Sequence, residues 1–231
     1  MRERAGAAAT EPPAGRSVGR RVVRGVREVV LTVAIALTVS LLVKTFLFQP
    51  FFIPSESMED TLVRGDRVVV GKFTPGLVDL RHGDVVVFED PGNWLSGLAP
   101  EEFAPPRSAV SEALAFVGLA PSADEGHLVK RVVGLPGDRI ACPDAEGPVQ
   151  RNGVELDESA YLKPGVEPCG MVFDVTVPAG QLWVMGDNRA RSRDSRYHQA
   201  DDTGPFVPLD RVTGRAYVVV WPLSDLAWLG R

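Results

Sequence analysis

The sequence predicts a mainly β fold: an antiparallel β-sheet or barrel-like domain carried on a single N-terminal transmembrane helix. Three observations lead there. One apolar run of membrane-spanning length lies near the N-terminus, the rest of the chain is a series of short Val-rich segments, and Gly, Pro and Asp turns divide those segments.

The helix comes first. Val29 to Phe48 is apolar apart from hydroxyls and Lys44, about the 20 residues needed to cross a hydrocarbon core. Lys44, near the far end, can snorkel to the interface. Residues 1–28 carry about seven Arg against three Glu, whereas residues 50–231 carry about 17 basic and 27 acidic side chains, so the net charge of −5 hides a basic tail and an acidic domain. The expected organisation is a basic cytoplasmic tail over 1–28, disordered at its Ala/Gly/Pro-rich start, a span over 29–48, and an extracytoplasmic domain over 49–231. A cleavable secretory signal is the alternative. The length of the run and the Phe-Leu-Phe-Gln-Pro sequence at 46–50, which lacks a small-residue cleavage site, favour a retained anchor.

Strands are expected at Arg67–Phe73, Asp84–Glu89, His127–Leu135, Arg139–Cys142, Pro148–Leu156, Met171–Val177, Gln181–Met185 and Arg211–Trp221. Asn152-Gly153 lies between Val149 and Val154 and marks a hairpin, because both residues tolerate positive φ. About 91–126 reads as an insertion: Pro/Gly-rich flanks surround a short amphipathic helix near 108–117, capped by Ser108. Its aromatics Trp94, Phe103 and Phe116 either touch a membrane or, the expected case, pack on the β domain.

Composition is that of a globular protein, 45% hydrophobic and 24% charged. Cys142 and Cys169 both fall in the part assigned outside, where disulfides persist, and flank the Asn152-Gly153 hairpin that draws its arms together. They are expected to be bonded to each other. With two cysteines and three scattered histidines no four-ligand zinc site is expected.

Three segments carry candidate chemistry. Ser55-Glu56-Ser57-Met58 follows closely on the apolar run. Leu128 to Asp138 places Lys130 among Leu128, Val129, Val132 and Val133, and Gly186-Asp187-Asn188-Arg189 leads into Ser192-Arg193-Asp194-Ser195-Arg196. A serine hydroxyl needs a base to take its proton, and a lysine serves when apolar burial keeps it neutral. A Ser-His-Asp arrangement using His198 or His82 with Asp194 is the weaker alternative, since neighbourhood in sequence is poor grounds for a triad.

In order and residue type, these segments resemble the conserved boxes of the bacterial type I signal peptidases over about residues 50–222. The resemblance implies a membrane-bound serine endopeptidase that needs no cofactor or metal. Ser57 would be the nucleophile, Lys130 the general base, Ser55 an oxyanion-binding hydroxyl, and Ser192 the hydroxyl that orients the Lys130 amine. Asp194 and Arg196 would form a supporting ion pair, with Asp187 and Arg189 in the same supporting structure. Implied partners are signal peptides of exported preproteins, the lipid bilayer and the secretion machinery, with no nucleic acid; the implied location is the cytoplasmic membrane, single-pass, with the domain outside. Substrates would present small residues at the first and third positions before the scissile bond and bind as an extended strand on a sheet edge. The chain departs from the pattern at Ala190 and Arg191, at His198 where an aromatic is usual, and in the extra residues Gln199–Gly204 before Pro205. Rival readings are a self-cleaving Ser/Lys regulator, opposed by the anchor, and a catalytically inactive tethered peptide-binding module, opposed by the intact Ser57, Lys130 and Ser192.

Overall fold

The computed structural model describes residues 15–92, 94–96 and 126–229, so the expected helix near 108–117, together with Phe103 and Phe116, lies outside the described residues. The chain divides into two units, residues 1–43 and 44–231.

The first unit is helical. Helix α1 runs Gly15–Phe46, starting well before the expected start of the span at 29, because Arg16–Glu28 contains no proline and its glycines, Gly19 and Gly25, weaken a helix without ending it. Within it Arg21–Leu42 is long and apolar enough to cross a membrane, with a mean hydropathy of 1.9 and its apolar side chains exposed. This fits a single-pass anchor. Phe48, expected inside the span, instead opens a strand; Pro50 just beyond cannot donate to a helix.

The second unit holds two antiparallel sheets. The larger contains β1 (Phe48–Phe52), β2 (Arg67–Gly71), β3 (Val85–Glu89), β4 (His127–Gly134), β9 (Gln181–Met185), β10 (Val207–Pro208), β11 (Val212–Trp221) and β12 (Ala227–Trp228). Their order is β1-β2-β11-β3-β4-β9-β10, with β12 on β11. The smaller contains β5 (Arg139–Cys142), β6 (Gln150–Arg151), β7 (Val154–Glu155) and β8 (Phe173–Thr176), ordered β7-β6-β5-β8. All eight expected strand segments are present. The 148–156 segment is a hairpin, β6 and β7, turning at Asn152 with φ of 55°. β1, β10 and β12 are additional. Among the described strands the ends of the large sheet do not pair with each other, so "barrel-like" is corrected to an open sheet with a second sheet beside it.

Strand β3 reads Val-Val-Val-Phe without alternation because both its faces are covered. Val85 and Val87 join a cluster with Phe51, Met58 and Val70, while Val86 and Phe88 join another with Leu128, Leu182 and Val184. A third cluster, around Val133, Ile140 and Trp183, holds the Cys142–Cys169 disulfide, with Cα atoms 5.8 Å apart.

Candidate active site

Ser57 sits in the turns that follow β1. Before it, Ile53 is fixed on both sides: its amide donates to Asp66 O at 2.9 Å and its carbonyl accepts from Gly65 N at 2.8 Å. After it, Met58 is 1% exposed in the core, and its carbonyl accepts from Leu62 N at 2.8 Å. The serine between these anchors is buried but borders a cleft.

Lys130 reaches the same point from β4. Alternation places Leu128, Lys130 and Val132 on one face of the strand, opposite Phe88 and Val86 of β3, so its stem lies among apolar side chains. Its Nζ donates to Ser57 Oγ at 2.7 Å and to Val129 O at 3.0 Å, and the residue is 3% exposed. Burial pushes its pKa down to about 8. Asp194 and Asp187 act in the opposite direction, and Arg196 lowers it further. A neutral amine is therefore accessible near physiological pH, in hydrogen-bonding reach of a serine hydroxyl.

Ser55 is exposed, with its Oγ 3.3 Å from Ser57 Oγ. Ser192 is buried beside the nucleophile. A Cβ on Gly186 would come within 2.3 Å of Ser192 Oγ and 2.4 Å of Ser57 O, so only glycine lets the 186–192 turn close on the nucleophile. The structure does not give Ser192 the expected bond to Lys130, whose amine bonds Ser57 Oγ and Val129 O. Ser192 Oγ makes no hydrogen bond of ordinary geometry, although it contributes to holding the Asp194 carboxyl low.

Around these residues the segment 186–196 is tied down by its charges. Asp194 and Arg196 form a two-bonded pair, Nε to Oδ1 at 2.8 Å and Nη2 to Oδ2 at 2.9 Å, with both side chains fully buried. Burial alone would raise the Asp194 pKa, but the Arg196 charge and hydrogen bonds outweigh it and hold the carboxyl below its ordinary value. Asp194 Oδ2 also accepts from Gly186 N at 3.0 Å and Ser195 Oγ accepts from Val184 N at 3.0 Å, so this turn satisfies the outer amides of β9 and its end. Asn188 spans to the nucleophile turn, its amide donating to Ser57 O at 3.1 Å and its Nδ2 to Glu56 O at 3.1 Å.

The partners of Asp187 and Arg189 were not legible beforehand. Asp187 binds Arg131, the residue after Lys130, and accepts from Thr61 Oγ1 at 2.6 Å. Arg189 is buried against Glu158, with Nη1 to Oε2 at 2.9 Å and Nη2 to Oε1 at 2.5 Å. The Lys-Arg pair in the second segment was the available signal for Arg131; nothing in sequence marked Glu158. His198 pairs with Asp201, its Nδ1 donating to Oδ2 at 2.6 Å, and His82 pairs with Asp138. Neither histidine has Ser57 among its hydrogen-bond partners.

The cleft, about 410 Å³, runs between Phe51–Met58 and Gly126–Lys130, with Trp94, Leu95, Arg64, Arg191 and Arg193 also lining it. Among the described residues, one wall is a strand edge. β4 pairs with β3 along His127–Arg131, but β9 joins its other side only from Arg131 onward.

Over residues 26–221 the chain matches the family described as signal peptidase, peptidase S26. A probable signal peptidase I of Mycobacterium leprae is 38% identical over 232 residues, covering 88% of this chain and 78% of the relative. A signal peptidase I of Mycobacterium tuberculosis is 38% identical over 222 residues, covering 86% and 73%. Among solved structures, a signal peptidase I from Enterococcus faecalis is 22% identical, with a TM-score of 0.36, over 59% of this chain and 95% of that one. A buried lysine bonded to a buried serine, within a family match that spans both and relatives aligned over most of their length, has one consequence for identity: this chain belongs to the signal peptidase family, peptidase S26.

Proposed function

We propose that this chain is a membrane-anchored serine endopeptidase that removes N-terminal signal peptides from exported preproteins, with Ser57 as nucleophile and Lys130 as general base. The observation that carries the residue roles is the 2.7 Å bond between Lys130 Nζ and Ser57 Oγ, in a setting that favours the neutral amine. Lys130 takes the Ser57 proton as Oγ attacks the scissile carbonyl, then gives a proton to the leaving amine. Lys130 next activates the water that hydrolyses the acyl-enzyme. The exposed Ser55 hydroxyl, beside Ser57, is suited to join the Ser57 amide in binding the oxyanion. The half-open edge of β4 supports extended binding of the substrate, with backbone pairing along His127–Val129.

The helix Gly15–Phe46 would be the anchor, and the arginines that precede its apolar run support an orientation with residues 49–231 on the outer face of the cytoplasmic membrane. There the chain would meet the bilayer and the secretion machinery that delivers its substrates. Incubating the full chain in detergent with a signal-bearing precursor, beside Ser57→Ala, tests the activity. Wild type should release the mature protein with a single new N-terminus, and equal release by Ser57→Ala would sink the assignment. Protease accessibility in cells should find Gly65 outside and Arg16 inside; the reverse would overturn the orientation.

A further inference from the structure

The stretch opening at 91, read as an insertion, and the extra residues 199–204 are joined to each other beside the cleft that Trp94 and Leu95 line. Asp90 begins the contact. Its carboxylate accepts from the amides of Gly92 and Trp94 at 2.9 Å each and of Leu95 at 3.0 Å, and its own amide donates to Gly126 O at 2.7 Å. The chain is thereby turned so that Trp94 enters the core, 1% exposed and edge-on to Phe88 at 5.9 Å, while Leu95 stays partly exposed beside Leu128.

On its other face Trp94 meets His198. The rings are parallel within 5°, with centroids 4.2 Å apart, and the histidine is 2% exposed. Its orientation is set by the bond to Asp201, one of the extra residues, and Thr203 Oγ1 donates to Gly92 O at 3.3 Å to close a second link between the two segments. His198 stands on the turn Ser195–His198, directly after the Asp194–Arg196 pair. The stack thus joins one wall of the cleft to the turn beside the nucleophile.

We infer that Leu95 is a specificity-determining residue for substrate positions upstream of the third, and that Trp94, His198, Asp90 and Asp201 are the positioning residues that hold it in the cleft. This rests on the peptidase reading above. A strand laid on β4 advances about 3.3 Å per residue, so a peptide whose scissile bond lies at Ser57 and Lys130 brings its fourth and fifth residues before the bond alongside His127 and Gly126, near Leu95, whose amide is held by the same Asp90 that bonds Gly126 O. The chemistry offered there is aliphatic, so the preferred partner is an apolar side chain.

The test uses the full chain in detergent and precursors that differ only at the fourth and fifth positions before the cut, carrying Leu, Ala or Asp. Wild type should favour Leu over Asp by about fivefold in kcat/KM, chiefly through KM. Leu95→Ala and Trp94→Ala should erase that ratio. His198→Ala should do the same, His198→Phe should keep the ratio by restoring a flat ring to the stack, and Trp94→Ala/His198→Ala should be no worse than either single variant. An unchanged ratio in Leu95→Ala and Trp94→Ala would overturn the inference, as would equal losses on every precursor, which indicate a purely structural role. Failure of wild type to cut any precursor faster than Ser57→Ala would instead sink the peptidase reading, and this inference with it.

Discussion

Arg131 and Asp187 face each other where β4 meets the end of β9, with Nε donating to Oδ1 at 2.8 Å and Nη2 to Oδ2 at 2.5 Å. Their side chains are 10% and 0% exposed, and the guanidinium also donates to Gly83 O at 2.7 Å and lies 4.1 Å from the Tyr161 ring. The pair ties the residue after Lys130 to the turn that carries Asn188, whose amide bonds Ser57 O, and so helps set the distance between Lys130 and Ser57. Asp187→Asn leaves a nearly buried guanidinium without its counter-charge and should cost about 3 kcal/mol or more. Replacing both, as Arg131→Met with Asp187→Leu, should cost less than the two single changes together. Urea denaturation of the full chain in detergent measures this; Asp187→Asn within about 1 kcal/mol of wild type would refute it.

The pH dependence follows from the state of Lys130. Its pKa of about 8 lies below the ordinary 10.5, and the amine works as a base only when neutral, so kcat/KM should rise with pH through about 8 and then level off. Lys130→Arg should be inactive, because arginine stays protonated. Asp187 raises the Lys130 pKa, so Asp187→Asn should move any measurable midpoint to lower pH. A profile unchanged by Lys130→Arg would assign the base elsewhere.

Stability should respond in a linked way. Between about 8 and 10.5 the unfolded chain binds more protons at Lys130 than the folded one, so this residue makes stability rise with pH across that window. Below it the buried ammonium costs about 3 kcal/mol. Lys130→Met should therefore be inactive yet more stable than wild type at pH 7, with the difference shrinking as pH approaches 10.5. Equal stabilities at pH 7 would show that the lysine pays no such desolvation cost.

Ser192→Ala separates position from chemistry. The hydroxyl makes no well-formed hydrogen bond, so its removal should change stability by less than about 1 kcal/mol. If Ser57 is acylated as proposed, its oxygen no longer holds the amine as a hydroxyl does, and the role expected of Ser192 is to orient that amine. Reduced but detectable turnover is expected, above that of Ser57→Ala or Lys130→Ala, and a wild-type rate would remove Ser192 from the site.

The Cys142–Cys169 disulfide closes a loop of 27 residues, and the carbonyl of Cys169 accepts from Arg196 Nη1 at 2.8 Å while that of Pro168 accepts from Arg189. Cys142→Ser/Cys169→Ser should lose about 2–4 kcal/mol. Activity should fall as well, because those carbonyls seat two arginines of the supporting structure. Full activity in the double variant would show that the disulfide and the site are independent.

How much was readable depended on range. Ser57, Lys130 and the Asp194–Arg196 stretch lie in compact motifs, and β3, β4 and β11 declare themselves through Val-rich runs bounded by turns. Arg131 and Asp187 are separated by 56 residues, and Arg189 and Glu158 by 31, with no periodicity to join them. β10 and β12 have only two residues each, too few to carry a pattern, and become strands through the neighbours they pair with. The start of α1 was misplaced for another reason: apolarity marks the part that suits a lipid environment, whereas the helix continues through the arginine-rich turns before it.

If substrates pair with the edge of β4 that is left open among the described residues, the conformation of a chain is tested before its composition. A segment already folded as a helix or covered within a domain has its amides and carbonyls engaged and cannot lie beside His127–Val129, however suitable its side chains. A finished protein carrying small residues in the right places would then be spared, and only a stretch still extended would be exposed to the serine.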